Sequence, residues 1–160
     1  MKKLLYVLMV FMVLLTISFA GQTSEKKECD DKEVKAVQVA IKEFFVKGFY
    51  NDRDVEVVKK GFHPNFTMLA LREDNVEAIP LSKMIEKLEK WRQKEPEIKN
   101  KKEFKLSMLD VVGNAAVARL DAFSEGKCDF TDYLSLYKFN DGWKIVGITF
   151  NFKPEPKKEK

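Results

Sequence analysis

Histidine is all but missing from this chain. His63 is the only one, which excludes the usual multi-histidine metal centre and leaves no separate Ser-His-Asp triad. The two cysteines, Cys29 and Cys128, are too few for a zinc cage and lack CxxC spacing. Glycine is sparse, and no Gly-rich phosphate loop or Gly-x-Ser-x-Gly elbow is found. HExxH and EF-hand patterns are also missing. These absences argue against a hydrolase, a kinase or a metalloenzyme, and no cofactor is expected. Net charge is also small. The formal +4 falls to +2 once Lys2 and Lys3 are set aside, and the remaining lysines are interleaved with Glu and Asp. That pattern describes a solvated surface, so no nucleic-acid partner is expected.

A long apolar run occurs once, from Leu4 to Phe19. It follows the positive Met1-Lys2-Lys3 and runs into Ser18-Phe19-Ala20, which supplies small residues at −3 and −1 of a cleavage site. Residues 1–20 are therefore expected to be a signal peptide, cleaved before Gly21. The protein is then periplasmic or secreted, with no membrane attachment after cleavage. The run is at the short limit for an anchor helix. Export would permit a Cys29–Cys128 disulfide; two unpaired thiols are the alternative.

What the chain has in quantity is phenylalanine, thirteen residues, enough to line a core or a cavity with rings. Residues 21–30 are polar and are expected to form a flexible segment. Asp30 or Asp31 can cap a first helix in which Val34, Val37, Ile41, Phe44, Phe45 and Gly48 recur at helical spacing to about Tyr50. Asn51 to Asp54 breaks it, and Val55–Lys60 forms a short second helix ended by Gly61. Phe66–Leu71 reads as a strand, and 72–80 as a loop or hairpin. Ser82 caps a third helix whose stripe is Met84, Ile85, Leu88 and Trp91. From there the period changes to two. Four strands follow, separated by Gly113-Asn114, Ser124–Lys127 and Asn140–Gly142. The tail 153–160 is charged and expected to be disordered. Helices early and strands late indicate one α+β domain over 31–152, an antiparallel sheet with helices on one face.

Three stretches carry a resemblance: 41-IKEFFVKGFYNDRD-54, 62-FHPNFTM-68 and 126-GKCDFTDYLSLYKFNDGWKIVGITF-150. Over about residues 31–152 the chain resembles the nuclear transport factor 2-like (SnoaL-like) superfamily, in its putative lumazine-binding branch. The resemblance implies a cone-shaped fold, with a curved sheet and three helices on its concave side, and frequent homodimers formed through the sheet. It implies no reaction, since members include isomerases, cyclases and binding modules.

Strand alternation sets Asp132 on one face with Phe130, Leu134 and Leu136, and Tyr133 and Tyr137 on the other. If the first face is concave, Asp132 is a carboxyl among apolar side chains, with a pKa raised by desolvation. The expected cavity lining is Phe44, Phe45, Tyr50, His63, Met68, Trp91, Asp132 and Leu134. Tyr133 and Tyr137 mark a dimer surface. His63 can orient a ligand or act as a base, or it can bond the backbone at the Pro64 turn. The first reading is a binder of a small, largely apolar molecule. The second is an isomerase- or cyclase-like acid–base enzyme using Asp132, His63 and Tyr50. The third is an interaction module working through the sheet face. One histidine and few inward carboxyls rank binding first.

Overall fold

The computed structural model describes residues 23–96 and 102–152, with the backbone alone at 23–30 and 152. The expected signal segment 1–20 and the tail 153–160 lie outside the described residues. The chain divides into two compact units, Met1–Glu33 and Val34–Lys160, and the second carries the sheet and the site.

Helix α1 runs from Thr23 to Ala40. It begins ahead of the expected caps at Asp30 and Asp31, because 23-TSEKKECDD-31 is rich in Glu and Lys, which propagate a helix well. At Ile41 the helix does not end. It widens into a π-helical segment, Ile41–Asn51, a form uncommon over so many residues. Wide turns close it: Asp52 N–H donates to the Lys47 carbonyl at 2.7 Å, and Asp54 N–H to that of Gly48 at 2.8 Å. Asp54 then caps α2, Val55–Gly61, its Oδ1 accepting from the amides of Glu56 at 2.9 Å and Val57 at 3.2 Å.

Strand β1, Phe62–Arg72, starts directly after α2, earlier than the expected Phe66. Pro64 sits where the register is irregular, between Phe62 and Thr67, so its missing N–H breaks no regular ladder. Residues 72–80 form a hairpin, whose second strand is β2, Asn75–Pro80. Helix α3, Leu81–Lys94, follows with no linker. Its cap position is Pro80, not Ser82, and no side chain bonds the first turn. The strand delivers the chain into the helix with Pro80 extended and φ preset, so Ser82 falls inside the first turn.

The meander comprises β3 Glu103–Val112, β4 Ala115–Ser124, β5 Lys127–Phe139 and β6 Gly142–Phe152. Gly113 and Gly142 take positive φ in its turns, as tight hairpins require. The sheet order is β2-β1-β6-β5-β4-β3. All neighbours are antiparallel except β1 and β6, which run parallel. The expectation of a purely antiparallel sheet is corrected at that one pair. It arises because α3 and the meander together return the chain beside β1 in the same direction.

One sheet face packs against the helices. Its core includes Phe45, Val58, Phe62, Leu88, Leu134 and Ile145, all buried. Each contributes roughly 1.5–3 kcal/mol by leaving water. The predicted α+β architecture, helices against one face of a curved sheet, is the architecture observed.

Candidate functional site

Alternation along β5 places Phe130, Asp132, Leu134 and Leu136 inward and buried, with Tyr133 and Tyr137 outward. Asp132 is only 1% exposed. Across the sheet it faces Leu120 of β4 and Phe150 of β6. Its polar partner among the described residues is Tyr50, whose hydroxyl donates to Oδ2 at 3.4 Å. Burial in this apolar setting pushes Asp132 up to about 7, partly offset by the Tyr50 hydrogen bond. Burial, and then the nearby carboxylate, push the Tyr50 phenol well above its usual range.

Tyr50 reaches Asp132 from the last turn of the π-helical segment. Its ring lies 5.1 Å from Phe45, 4.9 Å from Phe49, 4.9 Å from Phe104 of β3 and 5.6 Å from Phe130. Phe45 and Phe49 stack at 6.1 Å, and Phe49 meets Trp91 of α3 at 6.2 Å. The carboxyl and phenol thus sit in an aromatic shell drawn from four elements. Arg53 braces the shell from outside. Its guanidinium donates to the Trp91 and Glu95 carbonyls at the end of α3, both at 3.1 Å, and pairs with the Glu95 carboxylate.

A second aspartate shows how far the two sheet faces differ. Asp121 of β4 points outward. It accepts from Ser107, from Thr131 at 2.6 Å and from Arg119 at 3.0 Å. The hydroxyls of Ser107 and Thr131 hold it down to about 2. Asp121 is therefore charged at neutral pH, whereas Asp132 is poised between its two states.

The expected site residues do not all converge. Phe45, Tyr50, Trp91 and Leu134 lie in or against the inner core, and Met68 shares a row with Ile148 and Leu134. Phe44 turns toward α2: a Cβ on Gly61 would stand 2.0 Å from its ring. Gly48 is likewise matched to Val57 of α2 and does not face Asp132. His63 is not brought to Asp132. Its ring stacks on Phe139 at 4.8 Å and its Nδ1 accepts the Asn65 amide at 3.1 Å. Phe139 lies seven residues along β5 from Asp132, roughly 23 Å of extended chain. The early start of β1 carries His63 to that far end, where it stays bonded to the backbone at the Pro64 turn.

Three members of the shell were not among the expected lining residues: Phe49, Phe104 and Phe130. Phe130 carried a signal, since it shares the face of Asp132. Phe49 carried one as well, since it lies four residues after Phe45 and so falls on the same helical face.

Residues 32–151 match the family described as putative lumazine-binding. The chain belongs to that family. Among solved structures it is similar to a nuclear transport factor 2-like protein of unknown function from Shewanella baltica OS155. The identity is 20%, the TM-score 0.63, and coverage 78% of this chain and 96% of the other. A nuclear transport factor 2-like protein of unknown function from Silicibacter pomeroyi DSS-3 is similar at 15% identity and TM-score 0.63, covering 77% and 98%. The CaMKII hub of S. rosetta is similar at 18% identity and TM-score 0.51, covering 75% and 96%. These likenesses establish the fold. No curated protein matches.

For this member of the putative lumazine-binding family, the outer sheet face is the other notable surface. Tyr133 is 46% and Tyr137 52% exposed there. A groove of about 210 Å³ lies beside Tyr137, lined by Asp110, Val112, Val117 and Ser135 among others. The Sγ of Cys128 lies 3.7 Å from the Phe130 carbonyl. The side chain of Cys29 lies outside the described residues, so the bridge between them stays a proposal.

Proposed function

We propose that this protein binds a small, largely apolar molecule in the inner aromatic shell, with Asp132 and Tyr50 as its polar anchor. One observation carries the reading: a carboxyl that is almost fully buried, bonded to a single phenol and surrounded by rings. Apolar walls with a few placed polar groups are what small-ligand sites are made of. Membership of a family described as putative lumazine-binding supports small-molecule binding in the same sense. A catalytic reading is weaker. Without His63 it rests on Asp132 and Tyr50 alone, although a carboxyl near 7 suits acid–base work. In the same proposal the N-terminal segment directs export, and two copies pair through the outer face that carries Tyr133 and Tyr137.

The test is an NMR titration of residues 21–160 with a library of small aromatic and alicyclic compounds. Ligands should shift the resonances of Phe45, Tyr50, Phe104 and Phe130, and Tyr50→Phe should weaken binding several-fold. Shifts confined to the outer strand faces would overturn the inner site.

A further inference from the structure

The ligand class follows from what surrounds Asp132, and the inference rests on the binding reading above. The elements beside this carboxyl present apolar and aromatic side chains to it. From β4 come Leu120 and Ala122, from β6 Ile148 and Phe150, and from β3 Phe104 and Leu106. From the π-helical segment come Phe45, Phe49 and Tyr50. Tyr50 is the one titratable group among them, and it bears no positive charge. Lys102, bonded to Asp129 at 2.5 Å and Ser124 at 3.0 Å, reaches only the ring of Phe130. The buried carboxyl is thus without a cationic partner among the described residues.

A buried carboxylate is costly until an opposite charge meets it. Aromatic rings attract a cation within about 6 Å of their centroids and offer an anion nothing comparable. The Lys102 ammonium stands 5.3 Å from the Phe130 centroid. We infer that the inner site is built for an organic cation, an amine or ammonium carried on an apolar body, whose charge pairs with Asp132 while the rings of Tyr50, Phe104 and Phe130 hold the remainder. A neutral or anionic ligand would leave the carboxyl unpaired or repelled.

The experiment compares benzylamine with benzyl alcohol by calorimetry on the purified protein. Benzylamine stays protonated from pH 6 to 8, while the ionised fraction of a carboxyl titrating near 7 rises about tenfold. Its affinity should rise about tenfold over that range, and the alcohol should bind more weakly with no such rise. Asp132→Asn should remove the pH dependence and most of the amine affinity while sparing the alcohol. If that variant does not fold, the pH series on the unsubstituted protein carries the test. Equal or tighter binding of the alcohol, or amine affinity that falls with pH, overturns the cationic ligand and leaves the inner site standing. If neither compound binds, both readings fail.

Discussion

At the scale of a residue, Asp132 links structure to pH. Its carboxyl titrates near 3.8 when free and near 7 when buried, so the folded state binds a proton that the unfolded chain has released. Stability therefore falls as pH rises from about 4 to about 7 and is flat above, by up to about 4 kcal/mol in all. Asp121 acts in the opposite sense. Held near 2, it contributes stability above pH 4 that is lost as pH falls toward 2. Urea unfolding at pH 5 and pH 8 checks the first effect. The unsubstituted protein should be weaker at pH 8, and Asp132→Asn should abolish most of the difference. Equal midpoints in the unsubstituted protein would show that the carboxylate is compensated.

Among the elements, the junction between the π-helical segment and α2 is a closely packed joint. Gly61 and Gly48 lie where α2 and the segment meet, and each is placed against a side chain that leaves no room for a methyl group. A Cβ on Gly61 would stand 2.0 Å from the Phe44 ring, and one on Gly48 would stand 2.6 Å from Val57 Cγ1. Gly61→Ala should cost on the order of 1–3 kcal/mol by overpacking, seen as a lower thermal midpoint. Gly113→Ala has open space around it and a φ of 57°, so its cost should come from backbone strain alone, about 1 kcal/mol. If the two variants melt together, the joint is looser than its geometry indicates. This joint also explains why sequence reading placed Phe44 in the cavity. Helical spacing cannot distinguish a face turned to the sheet from one turned to the next helix. It also takes one period for the whole helix, whereas the turn widens at Ile41.

On the scale of the whole molecule, the outer sheet face bears on assembly. Leu69, Met108, Val112 and Val117 are exposed on the strands along with Tyr133 and Tyr137. A stable pairing of two such faces would bury about 1,200–2,000 Å² in total. Sedimentation at micromolar concentration should show a dimer, and Tyr137→Glu should shift it to monomer by burying an unpaired charge. A monomer in the unsubstituted protein would remove the proposal and leave these side chains as ordinary exposed surface.

The division between what was legible and what was not follows the range of the forces involved. Strand alternation is local, so the sequence alone set Asp132, Leu134 and Leu136 inward and Tyr133 and Tyr137 outward. The hairpin turns and the α+β order were equally local. The parallel pairing of β1 with β6 depends on where a long connection returns, and the place of His63 depends on how early β1 begins. The contact between Tyr50 and Asp132 joins residues 82 apart, across a helix whose widened turns no 3.6-residue pattern reveals. Those features belong to packing, which decides among the conformations that local preference leaves open.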